Sequence, residues 1–335
     1  MKNEKIHEKI DVVILWVDGN DEAWLDEKNK YLNLEGDTGE NRFRDCDNLQ
    51  YLFRGLDKYA PWVNKIFFIT WNHIPKWLDT NNEKVVVVKH HEFIPEQYLP
   101  TFNSNVIELN LHRIKELSEK FILFNDDFFI LKKTKPTDFF INGKPTDVYV
   151  ENIQSTYCYN NIYFFMKSNI LALVNKHFNK KKFVRKHFTK IINFKYGKWN
   201  LKTLKCLKFK EEFCGFDEFH APQAYLKSTF RKIWEEEPEY LDFACHNRFR
   251  TSTDLGHYMC RYWQLLSGNF VPKKHESKYL VYLNDNIENI KQLTSGKYKY
   301  VCVNDAFEDI DFERSKKEIN NTLEELLPEK SQFEL

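Results

Sequence analysis

Hydrophobic and polar positions follow two rhythms along this chain. Apolar runs dominate 11–17 (DVVILWV), 65–70 (KIFFIT), 85–88 (VVVV) and 121–124 (FILF), and runs of that length read as strands buried on both faces. Between them, Leu49, Leu52, Phe53 and Leu56, and later Ile107, Leu111, Ile114 and Leu117, recur at three- and four-residue spacing, as helices with one apolar face do. The alternation predicts an α/β chain whose first part, about 1–155, is a Rossmann-like, mostly parallel sheet. A further short run, 128–131, follows at once after Asn125, Asp126 and Asp127.

Beyond 155 the pattern changes. Residues 163–210 read as helical and basic, and a basic helical insertion is predicted over 156–212. The remainder, 213–335, is expected to complete the same domain. It holds a polar stretch at 215–225 leading into a helix to about Trp234. A second helix, with Leu255, Met259 and Tyr262, opens from 248–254, where Ser252 or Asp254 would cap it or supply an acid to its first turn. Strands are predicted at 279–283 and 298–303, and a closing helix over 312–327.

Composition narrows the classes. The 335 residues are 42% hydrophobic, enough for a substantial core, with 29 Phe and 17 Tyr against 10 Gly. Neither GxGxxG nor GxxxxGK[ST] occurs, so a glycine-rich phosphate loop is not expected. A net charge of +1 gives no field favouring nucleic acid. The seven Cys carry no CxxC pair and fit reduced thiols better than a disulfide frame or a zinc site. The run at 12–17 is too short for a signal-peptide core or a membrane span, so a cytoplasmic protein is expected.

Candidate chemistry collects at strand ends. The first strand runs into Asp18-Gly19-Asn20-Asp21, a tight polar turn. Arg42 and Arg44 precede a helix that Asp45 or Asp47 can cap, an arrangement suited to an anion. Asp126 and Asp127 lie between two apolar runs, where paired carboxylates are costly without a cation or a hydrogen-bond network. Ligands of open α/β sheets bind at the carboxyl ends of strands, so this pair could hold a divalent metal on a nucleotide diphosphate. Asn304-Asp305 places another carboxylate at a strand end. His220, two residues before Pro222, reads by itself more readily as a structural histidine than as a catalytic one.

Four blocks in order, IDVVILWVDGND (10–21), the stretch from RFRDCDNLQYLFRG through LPTFNSNVIELNLHRI to FILFNDDFFI (42–130), HAPQAY with FRTSTD (220–225 and 249–254), and YVCVNDAFED with the terminal SQFEL, resemble the Stealth family of sugar-phosphate transferases. That family includes bacterial capsule polymerases and the catalytic subunit of the lysosomal-enzyme N-acetylglucosamine-1-phosphotransferase. The resemblance implies a GT-A-like nucleotide-sugar-binding part and transfer of hexose-1-phosphate from a nucleotide sugar, usually UDP-linked, to a glycan hydroxyl. The product would be a phosphodiester in capsule or cell-surface polysaccharide, with a nucleoside monophosphate released.

Carried over position by position, the resemblance implies catalytic roles for Glu108, Asp127, His220 and Arg250. It also implies a donor cleft of Asp18, Gly19, Arg42, Arg44, Asp45, Arg113 and Asn304. Mg²⁺ or Mn²⁺ would lie on Asp126, Asp127 and Asp305. His220 or Glu108 would be the base, and the motifs alone leave that choice open. The long inserts of eukaryotic relatives are missing, which points to a glycan acceptor, lipid-linked in one reading, rather than a protein. An ordinary glycosyltransferase releasing the nucleoside diphosphate, or a non-catalytic glycan binder, would share the fold.

The insertion matches nothing in the family pattern. Between residues 176 and 210 there are thirteen Lys or Arg and no Asp or Glu. Val184, Phe188, Ile191 and Ile192 share one helical face, with basic residues around the rest, a pattern that predicts peripheral membrane association. A groove for an anionic glycan is the competing expectation.

Overall fold

The computed structural model of the chain describes residues 9–33, 35–39, 43–154, 161–305 and 310–335. In chain order its strands are β1 (Ile10–Leu15), β2 (Ile66–Thr70), β3 (Val85–Lys89), β4 (Lys120–Asn125), β5 (Phe128–Ile130), β6 (Phe140–Ile141), β7 (Lys144–Asp147), β8 (Gln223–Leu226), β9 (Val271–Pro272), β10 (Ser277–Val281) and β11 (Tyr300–Asn304). The main sheet has the order β3-β2-β1-β4-β8. Its first four strands are parallel, and β8 closes the edge antiparallel to β4. The mostly parallel α/β expectation holds.

Side chains alternate across this sheet with period two. Val13, Phe67, Ile69, Phe121 and Leu123 face one core, shared with the helices Ser104–Asn110 and Tyr258–Leu266. Val12, Ile14, Ile66, Phe68, Ile122 and Phe124 face the other, covered by the helix Leu49–Tyr59. Asp11 lies fully buried among them and is satisfied: its carboxylate accepts from Asn64 Nδ2 (2.6 Å) and from the backbone amide of Ser118 (2.8 Å).

Two strand assignments differ from the sequence reading, and both position the site. The run after Asp127 does not continue the main sheet. It forms β5 in a second sheet, β10-β11-β5, where β11 runs antiparallel to it and Cys302 sits opposite Phe128. The start of β5 therefore lies beside the end of β11, which brings Asn304-Asp305 toward Asp126-Asp127. The second difference is β8, expected to be irregular. It is antiparallel to β4 with Gln223 opposite Leu123, so the residues just before it, His220 to Pro222, reach the carboxyl end of β4.

Three helical expectations also need correction. The helix of Ile107 is α-helical only over Ser104–Asn110 and tightens into a 3₁₀ turn at Leu111–Arg113. The helix Leu49–Tyr59 is preceded by Asn48 without a side-chain cap, and Asp47 sits at φ 50° rather than capping. The helix with Met259 begins only at Tyr258, so neither Ser252 nor Asp254 caps it.

The basic stretch folds as the helices Ile162–His177, Lys180–Ile191 and Asn200–Cys206 with a 3₁₀ segment Phe194–Trp199. It is no separate body, because Met166, Ile170, Phe183, Ile191 and Tyr196 belong to the core under the main sheet. The apolar face foreseen for the membrane is mostly consumed there: Ile191 is buried, Val184 and Ile192 pack against that core, and only Phe188 is exposed. A break at His187 (φ −124°, ψ 23°) interrupts the face. Among the described residues no helix is long and apolar enough to cross a membrane.

Candidate active site

The site forms where the two sheets meet. Asp126 and Asp127 occupy the crossing between β4 and β5, and the backbone carbonyl of Asp127 accepts from Val303 N–H at 3.0 Å. Asp127 Oδ2 lies 3.6 Å from His220 Nε2 and accepts from Cys302 Sγ at 3.1 Å. Asp127 Oδ1 is buried with no hydrogen-bond partner. Burial pushes the Asp126 carboxyl up to about 8, with the charges of Asp127 and Asp45 adding to it. Asp45 is itself raised, by burial first and then by Asp47 and Asp18. Asp305 joins the group, since its charge and those of Asp126 and Asp45 all bear on Cys46.

A cluster of carboxylates with an orphaned oxygen fits a hard divalent cation. Among the described residues, ligand atoms of Asp127, His220 and Cys302 lie within 4.8 Å of one another. The Cys302 thiol is held well above its usual range, by burial and by Asp127, and so remains a proton donor. Carboxylate oxygens are the donors that suit such an ion.

His220 is held in an unusual backbone conformation, φ 38°, in a turn that ends at Pro222. A non-glycine residue there costs on the order of 1 kcal/mol, and strain of this kind concentrates at functional sites. The ring packs edge-on against Phe128 (5.0 Å between centroids) and Tyr279 (5.5 Å), with Tyr258 Oη 3.5 Å from Nδ1. Burial opposes charging of the ring. The neighbouring Asp127 carboxylate first, then Glu218 and Glu108, outweigh it and hold the His220 pKa above 6.5.

Glu108 lies in the helix Ser104–Asn110 and is 5% exposed. Its carboxyl is pushed up to about 7 by burial, against Arg250, a backbone hydrogen bond from His257 and the His220 charge. Its Oε2 has no hydrogen-bond partner. Arg250 Nη2 donates to Ser104 Oγ at 2.6 Å, at the start of that helix. Buried Asp254 stitches the two segments together, accepting from Asn103 and Asn105 at 2.9 Å and from Asn247 at 2.8 Å. Three amides on one carboxylate make a satisfied buried network that fixes where Glu108 and Arg250 point.

The chain was next compared with known proteins. Family models described as "Stealth protein CR1, conserved region 1" and "Stealth protein CR2, conserved region 2" match residues 8–36 and 42–148. A capsular polysaccharide phosphotransferase WcwK from Streptococcus pneumoniae is 42% identical over 340 residues, 98% of each chain. A receptor polysaccharide phosphotransferase WefC from Streptococcus gordonii is 40% identical, over 98% of this chain and 99% of its own. The exopolysaccharide phosphotransferase cps2G of Lactiplantibacillus plantarum is 36% identical over 97% and 96%. The chain belongs to the Stealth family.

In this Stealth protein the four motif residues Glu108, Asp127, His220 and Arg250, spread over 143 positions of chain, act on one another through space. Other expected residues ring them. Asp18 receives its neighbour Asn20 N–H on Oδ1 (2.9 Å), donates its own N–H to His73 Nε2 (2.9 Å), and its charge bears on Asp45. Gly19 passes so close to the Phe43 carbonyl that a Cβ would lie 2.0 Å from its oxygen, which pins the 43–48 segment against the end of β1. Asn304 Nδ2 donates to Tyr279 Oη at 2.8 Å, beside His220. Arg44 is drawn to Asp305 (3.6 Å) and stacks on Phe312.

Arg113 stands apart from this group. Arg113 is exposed, donates to Asn110 and stacks on Trp234 at 4.8 Å, bracing the end of its 3₁₀ turn. Arg42 lies outside the described residues. The sequence reading also missed Cys302, Tyr258 and Tyr279. All three reach the site through strand pairings and helix packing distant in sequence.

Proposed function

We propose that this Stealth protein transfers hexose-1-phosphate from a nucleotide sugar, UDP-linked, to a hydroxyl of a polysaccharide; the relatives' names, polysaccharide phosphotransferases, support the phosphotransfer and the polysaccharide. The observation that carries the reading is the convergence of His220, Asp127, Glu108 and Arg250 at one carboxylate-rich strand end. The four parallel strands in the order β3-β2-β1-β4 suit a GT-A-like nucleotide-binding half. The acceptor is a growing glycan, lipid-linked, met at the cytoplasmic membrane face with the 176–210 segment as the peripheral contact.

In this mechanism His220 takes the proton of the acceptor hydroxyl as its oxygen bonds to the sugar-bearing phosphorus. The bond from that phosphorus to the bridging oxygen breaks, and the nucleoside monophosphate leaves with the electron pair. The sugar's own C1–O bond stays intact. Arg250 stabilises charge on the phosphoryl oxygens. Glu108, titrating near neutrality beside both, holds His220 in place and can receive a proton from it. A divalent cation, Mg²⁺ or Mn²⁺, held by Asp127 with Asp126 and Asp305, would neutralise the diphosphate.

The test is to incubate the protein with UDP- and GDP-sugars and Mg²⁺ or Mn²⁺ and identify the nucleotide released. UMP from a UDP-sugar supports phosphotransfer. UDP would instead make the chain a glycosyltransferase.

A further inference from the structure

A cleft lined by His220 and Tyr258 opens on the Nδ1 side of the His220 ring, where Tyr258 Oη lies 3.5 Å away, while Asp127 faces Nε2 and does not line it. One wall is the turn His220-Ala221-Pro222; Asp147 of β7, Ser277 of β10, Tyr300 of β11, the helix Tyr258–Leu266 and the loop 273–276 supply others. Charge in the lining is balanced, with Asp138, Asp147 and Glu276 against Arg261, Lys273 and Lys274. Part of that charge is structural. Arg261 holds Asp147 at 3.0 Å in a buried pair, and Lys299 bridges Asp138 (3.0 Å) and Glu276 (3.2 Å).

One group in the lining has no internal purpose. Tyr300 is 7% exposed and lines the cavity, yet its hydroxyl is buried without a hydrogen-bond partner. The charges of Asp138 and Glu276 both bear on that hydroxyl, which places it at the end of the ring toward the cavity's carboxylates. An orphaned buried hydroxyl costs on the order of 1–3 kcal/mol, and a ligand that bonds to it removes that cost. Across the cavity, Phe219 and His275 stack with centroids 4.2 Å apart, and Trp199 of the basic segment backs Phe219 at 5.4 Å.

We infer that this cavity is the acceptor-sugar subsite, holding the terminal pyranose of the glycan so that one of its hydroxyls faces His220. The inference rests on the phosphotransfer reading above. A neutral, polyhydroxylated ring suits a lining of balanced charge that offers a free Tyr hydroxyl, two carboxylates and Lys273. Its C–H face suits the Phe219–His275 wall. A nucleotide diphosphate suits it less, because Arg261 and Lys299 are already engaged by the carboxylates. His220 therefore stands between two chemically distinct spaces, the carboxylate cluster on its Nε2 side and the sugar cavity on the other. A proton-accepting residue joining donor to acceptor needs that position.

The test uses saturation-transfer NMR on the whole protein with methyl glycosides of galactose, glucose, N-acetylglucosamine and rhamnose. At least one should bind at millimolar concentration. Tyr300→Phe should weaken it by roughly three- to tenfold, the loss of one hydrogen bond, while the variant melts no lower than wild type. Lys273→Met should weaken it as well. Failure of all four glycosides to bind, or unchanged binding in both variants, overturns the assignment. Nucleotide release by the wild-type protein is scored separately. UMP release without glycoside binding removes the cavity alone, and glycoside binding with UDP release removes the phosphotransfer reading alone.

Discussion

The carboxylate cluster and the basic segment are the two places where this chain concentrates like charge, and they handle it in opposite ways. In 176–210 several of the charges find partners. Lys180 pairs with Glu151 at 2.6 Å, both essentially fully buried, and also donates to the Cys206 carbonyl. Lys190 donates to the carbonyls of Gly268 and Phe270, Lys195 to that of Pro272, and Lys202 meets Asp217 at 2.8 Å. At the strand ends the charges are left against one another, with Asp126 pushed to about 8 and Asp127 Oδ1 unpartnered. Density of charge alone marks nothing. Charge that the fold leaves unsatisfied marks a site awaiting a ligand. Among the described residues the same contrast separates the two clusters of metal-type side chains. Glu151, Cys206 and Cys214 already hold Lys180, with the Cys206 thiol pushed up to about 12 chiefly by burial, whereas Asp127, His220 and Cys302 hold no cationic side chain but the histidine itself.

The largest expected effect lies in the unsatisfied cluster. His220→Ala should lower kcat by roughly 10²–10⁴-fold, with donor affinity largely kept. Near-normal turnover would remove His220 from the mechanism and pass the base role to Glu108. Asp127→Asn should abolish most divalent-dependent turnover, and full activity of the EDTA-treated wild type would overturn the metal assignment. Circular dichroism and melting curves check that both variants fold.

Lys180→Met makes the converse change. It leaves Glu151 buried and unpaired, so about 3–5 kcal/mol of stability should be lost. Turnover per folded molecule should stay within about twofold. The double variant Lys180→Met with Glu151→Leu should recover much of that stability. If Lys180→Met cost activity without stability, the satisfied charges would be functional after all and the contrast would fail.

Glu108→Gln sharpens the same point through pH. The carboxyl is raised from 4.5 to about 7 in the folded protein, so it destabilises the fold once ionised. That penalty is absent below the unfolded pKa, grows as pH rises from 4.5 to 7, and is constant above. Glu108→Gln should therefore stabilise the protein at pH 8 by about 1–3 kcal/mol and leave it unchanged near pH 4, while lowering turnover. Equal melting shifts at both pH values would show that Glu108 is not held near neutrality.

How much of this was legible in the sequence follows from the range of the interactions. The parallel strands and the helix Leu49–Tyr59 were readable because burial on both faces, or on one, writes a local pattern. Glu108, Asp127, His220 and Arg250 were reached through motif resemblance, since their meeting depends on pairings 100 to 174 residues apart that no local pattern encodes, such as Leu123 with Gln223 and Phe128 with Cys302. Strand β8 was missed for the same reason, its four residues QAYL being too short to show a period. Arg113 was named from its motif position, and the 3₁₀ turn after Asn110 carries it over Trp234, a placement no local pattern showed.

The smallest expected effect concerns what the satisfied region still presents outward. Although its buried face is occupied, Phe188, Phe194, Leu201, Leu204 and Phe209 are exposed, Phe194 at 87%. Lys181, Lys182, Arg185, Lys186, Lys198 and Lys205 are exposed around them. Isolated exposed apolar residues are ordinary, but aromatic and leucine side chains set among cations suit the boundary of an anionic bilayer. Each engaged basic residue contributes about 1 kcal/mol there. The protein should sediment with anionic vesicles more than with neutral ones, and salt should weaken that binding because the attraction is screened. Phe194→Glu with Leu201→Glu should reduce binding severalfold without changing the melting temperature, since neither side chain is buried. Equal, negligible binding to both vesicle types would end the membrane reading. The exposed cations would then belong with Trp199 at the edge of the sugar cavity, as the path for an acceptor chain already carrying phosphodiesters.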